Sequence, residues 1–206
     1  MHTLNLNVIE LRQYTMQTGR RAELVELFER EFIETQNALG LHVLGIFCDA
    51  QRDDRFVWLR GFTDMVARQQ GLQAFYGGPV WQAHRSAANA TMLDSSDVLM
   101  LRPLTALPAL GGPAVQPWEA VICALAAEPN EALRDALRGH AGVCWLETEA
   151  AVNTFTALPV REGEWVVVGL APAANTPMAL PAALQANLTA NPQHLRLLPT
   201  PRSPLR

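Results

Sequence analysis

The chain has 206 residues, 49% of them apolar, which suits a buried core in one large domain or in two of about 100 residues. Its 16 basic residues are all arginine and face 20 acidic ones with no basic run, so a nucleic-acid footprint and any Schiff-base or P-loop lysine chemistry are excluded. No apolar run approaches the roughly 18 residues of a membrane span, and the opening MHTLNLNVIELRQY has neither a basic start nor an apolar signal core, so a cytoplasmic protein with no membrane partner is expected.

The first element in chain order is an alternating run from Val8 to Tyr14, read as a strand. A helical segment from Gly19 to Leu39 follows, with Leu24, Val25, Phe28 and Phe32 at helical spacing and Gly40 as its C-terminal cap. Leu41 to Cys48 and Arg55 to Phe62 flank the polar turn 49–54 and read as a hairpin. Asp64 caps a helix running towards Phe75, and Pro79 opens another that reaches Met92. Asp97 to Leu104 is the fourth strand. The order β-α-β-β-α-β is the ferredoxin-like split arrangement.

Residues 105–117, TALPALGGPAVQP, have the composition of a linker between a first domain, 1–104, and a second, 118–206. The second half repeats the order. Trp118 to Ala126 reads as a strand and Asn130 to His140 as a helix. Strands near Val143 to Ala151 and Glu164 to Leu170, a short helix at Leu180 to Leu188 and a strand at His194 to Leu198 complete it. The fold class is therefore α+β, with two ferredoxin-like modules in tandem. Each sheet carries helices on one face, so the two free faces can cover each other.

Two groups of residues could carry chemistry. Strand alternation puts Ile9 and Leu11 on one face and Glu10, Arg12 and Tyr14 on the other; Val57 and Leu59 likewise oppose Trp58, Arg60 and Phe62. The aliphatic faces are expected to pack on helices, which turns Arg12, Tyr14, Trp58 and Arg60 towards the second sheet as a ligand-binding face for an anion or carbonyl. The alternative is a sealed interface in which Arg12 and Arg60 pair with Glu10 and Glu162 and stack on Trp58. In FYGGPVWQAHRSAAN, Trp81, Arg85 and Asn89 share a helical face, which adds Trp81 and Arg85 as ligand candidates. His84 and Tyr76 are the candidates for proton transfer, although a lone helical histidine is more often a packing residue. Arg161 and Glu162 sit beside a glycine turn, as part of a barrel mouth or as a solvated ion pair. Cys48, Cys123 and Cys144, odd in number and scattered, read as reduced core thiols, and His42, His140 and His194 are dispersed, so no metal or other cofactor is expected.

The segments VIELRQYTMQTGRRAELVELFERE, GIFCD and FVWLRGFTDMVARQQGLQAFYGGPVWQAHRSAANATMLDSSDVLMLRP resemble a bacterial NIPSNAP-family protein over most of residues 8–104. The LRxY start, the LRGFxD strand end and the FYxGPVWxAHR helix carry the resemblance. In the second half LPVREGEWVVVGL and LLPTPRSPLR match in pieces. The resemblance implies the dimeric α+β barrel superfamily fold, in which two ferredoxin-like sheets enclose a cavity, and it leaves a homodimer open. Its relatives include cofactor-free monooxygenases, haem enzymes and small binding proteins, so the fold cannot choose a function. Two readings stand: a small-molecule binder with a cavity between the sheets, extending to cofactor-free oxygenation, and a non-catalytic assembly protein whose arginine-aromatic face seals an interface.

Overall fold

The structure, a computed structural model, describes residues 5–112 and 115–206. Residues 1–4 of the expected first domain and 113–114 of the expected linker lie outside the described residues. The elements run β1 (Val8–Met16), α1 (Arg21–Leu27), a π-helical turn (Phe28–Phe32), α2 (Ile33–Ala38), β2 (His42–Asp49), β3 (Arg55–Phe62), α3 (Met65–Gly77), α4 (Pro79–Asn89) and β4 (Met92–Pro103). The second half has β5 (Trp118–Leu125), α5 (Glu131–Arg138), β6 (Cys144–Thr148), β7 (Trp165–Pro172), α6 (Ala182–Gln185) and β8 (Gln193–Pro199). No helix is long and apolar enough to cross a membrane among the described residues.

The caps follow the side-chain chemistry. Asp64 accepts from the Ala67 amide at 2.8 Å to start α3, and Asn130 accepts from Leu133 at 2.9 Å to start α5. Gly40, with φ +77°, ends the first helical segment in the left-handed conformation that a side chain would resist.

The eight strands close into one barrel in the order β1-β3-β2-β8-β5-β7-β6-β4. Each half contributes a ferredoxin-like sheet, β4-β1-β3-β2 and β8-β5-β7-β6, and the halves join through the antiparallel pairs β2·β8 and β4·β6. β1 and β3 are neighbours, with Glu10 opposite Arg60 and Arg12 opposite Trp58. The C-terminal segment is pinned to β2: the Leu205 amide donates to the Leu44 carbonyl at 3.0 Å, and the Ile46 amide donates to Ser203 Oγ at 2.9 Å.

The barrel interior is aliphatic, with Ile9, Leu11, Val57 and Leu59 of the first sheet meeting Ile122, Leu146, Val168 and Leu195 of the second. This reverses the orientation read from the strand alternation. Trp58, Tyr14 and Phe62 belong to the core under the first module's helices, with Leu24, Phe28, Phe32 and Phe75. The physical reason is partner supply. Most interior positions meet the other sheet's apolar side chains, with Gln13 bonded to Gln193 as a polar pair between the sheets, whereas the helices bring carboxamide, guanidinium and aromatic groups against the charged face.

Candidate functional site

The charged face converges on Glu10, which has no exposure to solvent. Its Oε2 accepts from Arg12 Nη1 and from Arg60 Nε, each at 2.8 Å, and its Oε1 accepts from Arg68 Nε at 2.7 Å. Three guanidinium charges thus face one carboxylate, all at 0–1% exposure. Neutral groups complete part of the shell: Arg60 Nη1 donates to Gln36 Oε1 at 3.1 Å, Arg68 Nη1 to Asn153 Oδ1 at 3.0 Å, and Arg12 Nε to the Tyr14 hydroxyl at 2.9 Å. Both flanking arginines lie over rings, Arg60 at 5.0 Å from the Trp58 centroid and Arg12 at 5.6 Å. Among the described residues, the Nη2 atoms of Arg60 and Arg68 are buried without a hydrogen-bond partner.

The electrostatics follow from burial and charge count. Burial alone would push the Glu10 carboxyl up, but Arg60, Arg12 and Arg68 outweigh it and hold the group well below the usual carboxylate range. Burial likewise works against the charged form of Arg12, yet Tyr14 and Glu10 raise its affinity for the proton. The Tyr76 hydroxyl is pushed above the ordinary phenol range by burial, with Arg60 opposing.

Beside this cluster lies a cleft of about 330 Å³, lined by Arg12 and Tyr14 from β1, Tyr76 from α3, and Trp81 and Asn89 from α4. Met92 and Ser95 of β4 and the segment Phe155–Leu158 complete it. Trp81 sits edge-on to Tyr76 at 4.9 Å, while Phe155 stacks on Tyr76 at 5.9 Å and 22°. Phe155 comes from the second module: the β6–β7 connection leaves the barrel and crosses to the first. It is tied there by the Glu149 amide to Met100 O at 2.9 Å, the Arg161 amide to Val98 O at 2.8 Å, and Asn153 on Arg68. Asn153 also donates to Leu158 O and accepts from the Phe155 amide, which fixes the turn that presents the ring.

Of the residues singled out in the sequence, Arg12, Tyr14, Tyr76, Trp81 and Asn89 meet at the cleft, while Trp58 and Arg60 form the buried layer behind it. Arg85 does not join them, since it is exposed and makes no described contact with Trp81. His84 is also turned away from the cleft, 3.6 Å from Glu31 and edge-on to Phe32. Glu162 is exposed and takes no part in the cluster, and Arg161 pairs with Glu164 and Asp97 instead. Arg68, Gln36 and Phe155 escaped the sequence reading. Two of them were signalled: Arg68 lies on the stripe of Leu72 and Phe75, and Gln36 on that of Phe28 and Phe32, so each is a polar residue at a buried helical position. Phe155 carries no local signal.

Residues 9–108 match the family model described as NIPSNAP. This half of the chain belongs to the NIPSNAP family. The matched region holds β1 to β4 and every cleft residue except those of the Phe155–Leu158 segment, so the NIPSNAP half supplies the charge and the second module supplies the cover. No curated protein matches the chain. Among solved structures, a "putative monooxygenase" of Fusobacterium nucleatum is 8% identical, covers 96% of this chain and 94% of its own, and superposes with a TM-score of 0.63. A "putative monooxygenase" of Lactobacillus acidophilus is 12% identical, with 94% of both chains covered and a TM-score of 0.56. An uncharacterized NIPSNAP-like domain protein of Burkholderia xenovorans is 24% identical over 53% of this chain and 97% of its own, with a TM-score of 0.45. The first two likenesses span both modules and are likenesses of fold.

Proposed function

We propose that this NIPSNAP-family protein binds a small planar anion in the cleft between the first sheet and its helices, with the acidic group on Arg12 and the ring among Tyr76, Trp81 and Phe155. One observation carries the reading: the buried cluster holds three guanidinium charges against a single carboxylate. Two unbalanced positive charges cannot be buried cheaply, and a monoanion beside Arg12 offsets one of them. The chain contains its own comparison. The second module packs its helices on Val121, Cys123, Trp145 and Val167 without a fully buried arginine, so the architecture itself does not require the charges. A volume of about 330 Å³ corresponds to roughly eleven waters at about 30 Å³ each, the size of one substituted ring.

The experiment is a thermal-shift titration with benzoate, salicylate and related aromatic carboxylates and phenolates, using the wild type, Arg12→Met and Tyr76→Phe. A ligand that binds only the native state raises the melting temperature saturably, and Arg12→Met should abolish the rise. An equal rise in wild type and Arg12→Met for every ligand that binds would refute the assignment. Oxygenation, the chemistry named for the two fold relatives, is tested by dioxygen uptake with the ligands that bind.

The second reading is a purely structural seal, favoured by the pairing of Glu10 with all three arginines and the stacking of two of them on Trp58. Under it, Arg12→Met is tolerated and no ligand in the panel shifts the wild type.

A further inference from the structure

A second cavity, about 660 Å³, opens at one end of the barrel and has no contact with the arginine cleft. Its walls are Leu6, Leu44, Leu59, Leu146, Leu170 and Leu205, side chains that belong to the interior aliphatic cluster. The volume falls within the roughly 300–1,000 Å³ of small-molecule sites. Among the described residues no ionisable side chain lines it, and the polar contributions come from Asn5, Asn7 and Thr105. Water entering such a space finds few partners, whereas an apolar molecule loses none.

The cover is the connection between the modules. Thr105 to Leu110 carries no charge, and Leu107 and Leu110 lie on the cavity. The segment is fastened at its two ends. At one, the Leu104 amide donates to Trp145 O at 2.8 Å and the Trp145 amide to Thr105 Oγ1 at 2.8 Å; at the other, the Gly111 amide donates to Pro204 O at 2.9 Å. Between these points, the amides of 106–110 make no backbone hydrogen bond among the described residues. A strap held only at its ends can move aside without breaking a ladder, and its leucines then close on what has entered.

From these observations we infer that the barrel mouth is a second binding site, specific for an uncharged, apolar small molecule held by the leucine walls beneath the 105–110 strap. The site is independent of the anion cleft, because none of the cleft's charged residues reaches it.

The test uses the full chain and the neutral fluorophore N-phenyl-1-naphthylamine. Its emission should rise and shift to the blue in a saturable way, with one probe per chain. Leu146→Trp fills the cavity and should weaken binding at least tenfold. Leu107→Asp leaves the volume but puts a carboxylate in the cover, and should weaken it at least fivefold; it serves if the filled variant fails to fold. Arg12→Met should stay within twofold of the wild type, which separates this site from the cleft. The proposal is overturned by non-saturable emission, by equal affinity in wild type and Leu107→Asp, or by probe binding that proceeds only as a dimer dissociates in sedimentation, since the mouth would then be an interface between copies.

Discussion

Replacing Glu10 by Gln tests the buried cluster most directly, because one carboxylate holds three guanidinium groups at 2.7–2.8 Å. The carboxamide keeps the shape, but its single oxygen cannot serve three donors and its NH2 faces a guanidinium. A unit-charge pair at about 4 Å is worth roughly 4 kcal/mol at an effective dielectric of about 20, and all four groups are fully buried, so solvent provides no relief. Removing one partner of a single buried pair costs about 3–5 kcal/mol; stranding three cations should cost at least about 5. That equals much of the total stability of an ordinary domain, about 5–15 kcal/mol. Urea denaturation followed by tryptophan fluorescence should give a sharply lower midpoint for Glu10→Gln, with the slope unchanged. The pH dependence has a definite sign. The folded carboxyl titrates below its ordinary 4.5, so its contribution is complete above pH 4.5 and drains away as pH falls towards the depressed folded value. The gap between wild type and variant should narrow over that range. A loss below about 1 kcal/mol at neutral pH would refute the reasoning, since the guanidinium charges would then have to be balanced by something other than Glu10.

Two further consequences concern the core and the cover. Burial pushes the thiols of Cys123 and Cys144 up to about 11 from an ordinary 9.0, so the unfolded chain loses these protons first and stability should fall between pH 9 and 11. The loss should reach roughly 2 kcal/mol per thiol by pH 10.5, and denaturation of a Cys123→Ala, Cys144→Ala variant at pH 8.5 and 10.5 should show a flatter dependence. Phe155→Ala removes the ring stacked on Tyr76 and should cost about 1 kcal/mol while making Tyr76 more accessible to iodination. An unchanged iodination rate would mean that Phe155 does not cover the cleft.

The succession of elements was legible because each start and stop has a local cause. Alternation marked β1 and β3, Asp64 and Asn130 marked helix starts, and the turn 49–54 marked a hairpin. The partition of β1 and β3 into two faces was legible too, since it depends only on the two-residue period of a strand. Which face meets the helices was not. Ile9 and Leu11 suit a helix-packed core and a sheet-packed core equally, and the choice is made by groups distant in sequence: Gln36 bonds Arg60, and Arg68, itself held by Asn153, bonds Glu10, a polar shell on the helix side. The cleft was half legible for the same reason. Arg12, Tyr14, Tyr76 and Trp81 come from the NIPSNAP half, but Phe155 reaches them through the β6–β7 connection, whose path over the first module is fixed by pairings of Glu149 and Arg161 with β4 backbone. Such tertiary pairings leave no period in the chain.

The barrel's symmetry makes a prediction about the NIPSNAP half on its own. The sheets are ordered β4-β1-β3-β2 and β8-β5-β7-β6, so β8 and β6 occupy in the second module the positions of β4 and β2 in the first. The two seams, β2·β8 and β4·β6, are therefore the same kind of contact made twice: a second-position edge strand against a fourth-position edge strand, antiparallel in both cases. A fragment of residues 5–112 would expose both edges and the aliphatic face of Ile9, Leu11, Leu44, Val57, Leu59, Leu99 and Leu101. An open edge beside an apolar sheet face is not stable in water. A second copy can supply what is missing, offering β4 to β2 and β2 to β4 across a twofold axis, which is the closed, self-complementary arrangement that symmetric dimers use. The fragment should sediment as a dimer at micromolar concentration, and Leu59→Arg, which puts a charge on the interior face, should abolish the dimer and leave unfolded or aggregated chains. The cleft would lack its Phe155–Leu158 cover in that dimer, so any ligand that binds Arg12 in the full chain should bind the fragment at least tenfold more weakly. A folded monomer of the fragment, unfolding cooperatively, would show that the first module does not depend on a second sheet and that the seams are not interchangeable.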